Sequence, residues 1–188
     1  MTGKLTSTAQ ALVHVSHHMF YLGEPYTDPD PRLTRFAPMN GLILVQPGNA
    51  VIFVGASEGF VNVTVQPRRD PPPRVDPSEW DEVVETSLRS SSGKVRVKTF
   101  MVHWPALPVL TTAGPGEYRL LVHARGRDTA PDLAAFTPNE DYLIVVWPAP
   151  AAPDLIHRQT DAYGASWRQA AEKVQQSTAP TAHRQLHA

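Results

Sequence analysis

Eight histidines and no cysteine set the chemistry this chain can attempt. Without thiols there is no disulfide, no thiolate metal site and no cysteine nucleophile, so metal or acid–base work falls to histidine and carboxylate. His14, His17 and His18 lie in one stretch that reads as a strand, where His14 and His18 share a face and His17 opposes them. A zinc site needs further ligands from elsewhere, and His103 or His123 are the nearest suitable types. No His-Glu-x-x-His pattern accompanies them. Hydrogen-bonded histidines on sheet faces explain the pattern better, and no metal is expected.

Gly55-Ala56-Ser57-Glu58-Gly59 matches the Gly-x-Ser-x-Gly pattern of a hydrolase nucleophile elbow. An elbow joins a strand to a helix, however, and Phe60 to Gln66 continues as an alternating strand, so two glycines closing a turn are the better reading. Asp76, Glu79, Asp81, Glu82 and Glu85 supply carboxylates for glycoside chemistry, but neighbours in sequence are not thereby placed across a cleft. Gly114-x-Gly116 precedes a strand and lacks the third glycine and helix of a phosphate loop. No catalytic residue and no cofactor site are assigned, and an enzyme is the less favoured class.

The one charge pattern with a defined geometry is basic. If Trp80 to Arg89 and Lys94 to Phe100 form a hairpin about Ser91-Ser92, then Leu88 faces Val95, Thr86 faces Val97 and Val84 faces Thr99. Arg89, Lys94, Arg96 and Lys98 then project together on the other face. Such a row fits an acidic partner surface, or simply keeps a sheet edge soluble. Arg125 and Arg127, with Asp128 beside them, form a second candidate on a loop, where binding residues concentrate. These six basic residues are the candidate partner-binding set. A helix from Pro77 to Leu88, with Ser78 and Asp81 as a capping box, is the competing reading of the first half of that segment.

The elements that must position these groups are nearly all strands. Ala11 to Leu22 reads as a first strand, and Gly23 to Pro38 as a long proline-rich loop. Leu42 to Val45 and Ala50 to Val54 flank the turn Gln46-Pro47-Gly48-Asn49, and with Phe60 to Gln66 they suggest a meander. Pro67 to Arg74 breaks the sheet as an extended connector. After the turn Gly114-Pro115-Gly116, Tyr118, Leu120, Val122 and Ala124 alternate with Arg119, Leu121, His123 and Arg125. Tyr142 to Trp147 is a continuous apolar run suited to a buried strand, stopped by Pro148. A short helix is expected over Ala165 to Gln176, with a disordered end beyond it.

The chain has 188 residues, 41% of them hydrophobic, which suffices for one core. An all-β domain over residues 1–153 is expected, most simply an antiparallel two-layer sandwich, followed over 154–188 by a short C-terminal helix and flexible tail. The net charge of −1 gives no global field for nucleic acid. No segment approaches the roughly 18 apolar residues of a membrane span, and no signal-peptide core is present, so a cytoplasmic protein is expected.

In order, the strand His14-Val15-Ser16-His17-His18-Met19-Phe20-Tyr21, a polar loop, a meander, a charged hairpin, Gly114-Pro115-Gly116-Glu117-Tyr118-Arg119-Leu120 and a late aromatic strand form a recognisable series. Over Ala11 to Pro150 it resembles the small bacterial β-rich proteins typified by competence protein J. The resemblance implies an antiparallel sandwich without cofactor that binds another protein and occludes it, as an inhibitor or immunity-like partner of an enzyme such as a nuclease. It fixes no binding residue. The longer proline-rich connectors, the C-terminal tail and the lack of strong acidity are departures from that pattern. Two other readings stand beside it: a ligand-binding or hydrolytic sandwich with a pocket built from His17, His18, His103 or His123, and a structural subunit whose arms contact neighbours.

Overall fold

The computed structural model describes residues 8–30, 38–100 and 105–178. In chain order its elements are β1 (Ala9–Ser16), β2 (Met19–Gly23), β3 (Ile43–Gln46), β4 (Asn49–Phe53), β5 (Glu58–Pro67) and β6 (Glu82–Ser90). There follow β7 (Arg96–Lys98), β8 (Gly116–Arg125), β9 (Ala134–Ala135), β10 (Asp141–Pro148), β11 (Leu155–Gln159) and the helix α1 (Ala162–Thr178). The strands form one sheet in the order β11-β6-β8-β10-β5-β1-β2-β4-β3, with β7 added to β2 and β9 to β5.

The sheet curls into a half-barrel around one apolar cluster, to which alternate residues contribute as the period of two requires. Tyr118, Leu120, Val122 and Ala124 all point into it, as their alternation predicts, beside Val13, Val15, Val61, Val63 and Ile144. The curl brings the two ends of the sheet together: Asn40, just before β3, donates to Asp154 at 2.9 Å, and Gln159 of β11 donates to the Asn40 carbonyl at 2.9 Å.

This is not clearly the two-layer sandwich expected. β10 runs parallel to β5, from Asp141 opposite Asn62 to Val146 opposite Pro67, and antiparallel to β8. That central ladder joins halves that a sandwich keeps apart. β10 is apolar from Tyr142 to Trp147, where both its faces are covered. Ile144 and Val146 enter the inner cluster, while Val145 and Trp147 meet Val75 and Trp80 of the connector on the outside.

Three local pairings also differ from the expected ones. The stretch read as a single first strand is a hairpin, turning at His17 and His18 with φ of 54° and 63°. β3 and β4 pair about Pro47-Gly48 as expected, but β5 leaves them to pair with β1 along its length, so there is no meander. β6 and β7 are not partners: β6 lies between β8 and β11, and β7 pairs with β2.

The cause of the last difference is Glu24. Its buried carboxylate accepts from Ser90 Oγ, Ser91 Oγ, Ser92 N and Ser92 Oγ at 2.6–2.9 Å, tying the turn after β6 to the end of β2. Burial pushes this carboxyl up, but those four donors outweigh it and lower the pKa to about 2. The strand after the turn is thereby carried to β2. The 77–88 helix reading gives way to β6, and the expected C-terminal helix is α1. Residues 179–188, expected to be disordered, lie outside the described residues.

Candidate functional site

The end of the half-barrel that carries α1 is organised around a charge with no access to water. Arg127 is fully buried; its Nε and Nη2 fork the Asp161 carboxylate at 2.6 and 2.9 Å, and Nη1 donates to the carbonyls of Gly41 and Phe53. A buried guanidinium persists only when it is paired and its donors are met. Burial opposes its charge, yet the surrounding acidic groups, with Tyr142 and Asp161 foremost, raise its pKa overall.

Asp161 also caps α1, accepting from Gly164 N at 2.7 Å, while Asp128 accepts from Ala162 N and Tyr163 N at 2.8 Å each. Glycine at 164 is required by packing. A Cβ there would stand 2.6 Å from both Arg127 Nη2 and Asp161 Oδ1.

Two further buried carboxylates complete the arrangement. Glu82 accepts from Arg168 Nη1 at 3.0 Å and from Asp161 N at 3.3 Å, and its carboxyl is pushed up to about 7 by burial and by the neighbouring Asp161. Glu140 accepts from Gly55 N, Ala56 N and the Tyr142 hydroxyl at 3.1, 2.7 and 2.6 Å. Here the Gly-x-Ser-x-Gly match finds its role. An ideal Cβ on Gly55 would lie 2.2 Å from the Arg127 carbonyl and one on Gly59 2.2 Å from that of Ala135, so these glycines let the 127–135 segment lie against the chain before β5.

Over this base opens a cavity of about 600 Å³, lined by His18 of the β1–β2 turn, Asp128, Pro131 and Asp132 of the loop, and Tyr163, Ser166 and Trp167 of α1. His18 Nδ1 lies 3.1 Å from the Gly55 carbonyl, which can only accept, so Nδ1 donates to it, and Nε2 faces Asp132 Oδ1 at 3.5 Å. The His18 ring stacks on Tyr163 with centroids 6.2 Å apart, and Tyr163 stands edge-on to Trp167 at 6.2 Å. Burial pushes the Tyr163 hydroxyl up to about 12, which keeps it protonated. The hydroxyl of Ser166 donates to the Tyr163 carbonyl. The two ring partners of His18 are a carbonyl and a carboxylate, and neither ring nitrogen meets a hydroxyl among the described residues. The cavity therefore offers aromatic walls, one imidazole and two carboxylates, which is equipment for binding.

The six basic residues expected to bind a partner do not form one surface. Arg127 is the buried centre just described. Lys98 is buried, its Nζ donating to the carbonyls of Glu24 and Thr27 and lying 3.3 Å from Asp28. Arg96 donates to the Leu107 carbonyl at 3.0 Å. Arg89, 3.7 Å from Glu117, and Lys94 are exposed near the Ser90 end of β6, opposite the Glu82 end that meets α1. Arg125 is exposed at the α1 end, bonded to Asp141 at 2.9 Å and stacked over Trp80 at 5.1 Å.

The histidines likewise disperse. His18 lines the cavity, His17 sits by Phe100 at 6.5 Å, and His123 lies on the outer face against Trp80, its pKa lowered by burial. His103 lies outside the described residues, and among these no three metal-binding side chains cluster. Asp132, Asp161, Glu140 and Arg168 are not singled out by the sequence reading, whereas Glu82 stands in it among the carboxylates of 76–85 and Asp128 beside Arg125 and Arg127. Only Asp161 carried a local signal, an acidic residue just before an alanine-rich, proline-free segment.

No family model and no curated protein matches the chain. Two solved structures are similar to it over 78% of its length and all of theirs: crocagin biosynthetic gene J, at 16% identity and a TM-score of 0.48, and ComJ of Bacillus subtilis, inhibitor of the DNA degrading activity of NucA, at 10% and 0.47. The second is competence protein J, the type of the family that the sequence resembles.

Proposed function

We propose that the protein works by binding another protein through the α1 end of its half-barrel, as an inhibitor or immunity-like partner of an enzyme, with a nuclease as the first class to test. The observation that carries this reading is the cavity together with its rim. Leu133, next to the cavity-lining Asp132, and Phe136, just past β9, are 61% and 75% exposed. Large apolar side chains beside a recess are where a partner gains most from burial. Among the described residues no hydroxyl meets the cavity's histidine as a serine nucleophile meets its base, which sets the hydrolytic alternative behind this one. The exposed pair Arg89 and Lys94, at the other end, is the competing contact surface.

The test is affinity capture of partners from native lysate with three forms of the chain: wild type, Leu133→Glu/Phe136→Glu, and Arg89→Glu/Lys94→Glu. The reading expects one stoichiometric protein, lost with the first variant and kept with the second. Loss with the second variant alone moves the interface to the basic end. Absence of any protein partner removes the reading.

A further inference from the structure

We infer that the cavity is a receptor for a basic side chain, an arginine presented by the partner, an inference that rests on the protein-binding reading above. The argument is one of charge and shape. Behind the cavity the cations are already matched: Arg127 by Asp161, and Arg168 by Glu82. At its mouth Asp128 and Asp132 have no lysine or arginine partner among the described residues. Asp128 is held in place by the first amides of α1, and Asp132, with its side chain 81% exposed, lies 3.5 Å from Nε2 of His18.

Each class of occupant meets these carboxylates differently. An anionic group is repelled by both. An apolar group strips water from them and returns nothing. A guanidinium answers them with paired donors, and its flat face stacks on an aromatic ring. The rings are in place, since Tyr163 and Trp167 form the α1 wall of the cavity. The chain uses this same combination inside itself, where the Arg127 guanidinium forks Asp161 and lies 5.5 Å from the centre of the Tyr163 ring.

The full-length chain, labelled with nitrogen-15, is titrated with N-acetyl-arginine methylamide and, in parallel, with the isosteric but uncharged citrulline derivative. Expected are saturable shifts of the Trp167 indole and of the amides of 128–132 and 162–167, at about millimolar concentrations for a single side chain. The citrulline probe should bind at least about tenfold more weakly. Asp132→Asn should weaken the arginine probe severalfold with the rest of the spectrum unchanged, because Asn tolerates the left-handed backbone that Asp132 adopts at φ 63°. Equal binding of both probes, an unaffected Asp132→Asn variant, or no saturable shift at the cavity overturns the inference. A partner captured through the cavity without any arginine preference would leave the protein-binding reading standing. Arginine binding with no captured partner would do the reverse.

Discussion

Arg127 illustrates how residue type and residue role part company. On a loop sequence Arg-Gly-Arg-Asp it reads as partner-binding, yet it is among the largest fully buried side chains of the described residues. Its partners Asp161, Gly41 and Phe53 are 34, 86 and 74 residues away, so nothing local announces its burial. Arg127→Met should cost about 3–5 kcal/mol in chemical denaturation, since it strands the Asp161 carboxylate in the interior. Lys98→Glu should report on folding in the same way, because it sets a carboxylate against two carbonyls and Asp28.

Glu82 gives the residue scale a pH signature. Its folded pKa of about 7 lies above the ordinary 4.5, so the folded state prefers the protonated carboxyl. That contribution is fully present below 4.5 and is lost as pH rises through 7. Wild type should lose stability between those values relative to Glu82→Gln, and the difference should be flat above. Glu24 acts with the opposite sign. Its contribution is present above 4.5 and fades as pH falls toward 2.

At the scale of elements, the β1–β2 turn stands out for its cost. A two-residue turn with both φ positive favours Asn-Gly, and His17-His18 holds that geometry at a strain of about 1–3 kcal/mol per residue. His17→Asn/His18→Gly should therefore raise the melting temperature by a few degrees while removing the imidazole from the cavity. A variant that is stabler and weaker in partner binding would show that the strain is kept for the site. An unstable variant would show that His18 is held for packing.

The elements themselves were legible where periodicity is local. β8 and β10 follow their alternating and continuous apolar patterns, and the β3–β4 turn follows its Pro-Gly chemistry. Pairing was not legible. A β6–β7 hairpin would sort both faces consistently, but a distant glutamate holds the turn, and β7 pairs with β2. His17 and His18 lacked the glycine or asparagine that marks a hairpin, so two strands read as one.

At the scale of the whole molecule, the curl of the sheet brings the loop after β8 and the start of α1 to one place, and the site exists only because they meet there. Among the described residues no helix is long and apolar enough to cross a membrane. The helix is part of the fold as well as of the site, since Trp167 packs on Phe53 with centroids 4.8 Å apart and covers Tyr21 and Val51. A chain ending at Thr160 should expose that outer patch, leave Arg127 without its carboxylate, and bind a hydrophobic dye that the full chain does not. The six basic residues could be chosen from sequence, but their dispersal over two ends and the interior is set by long-range pairing that no local pattern records.

The central claim is that a partner seats on the α1 end, and hydrogen exchange of the chain alone and with its captured partner tests it most directly. Slowed exchange across 126–136 and the first turns of α1, with residues 89–96 unchanged, is the result this account predicts. Protection confined to 89–96, with the cavity segments exchanging as in the free chain, would contradict it.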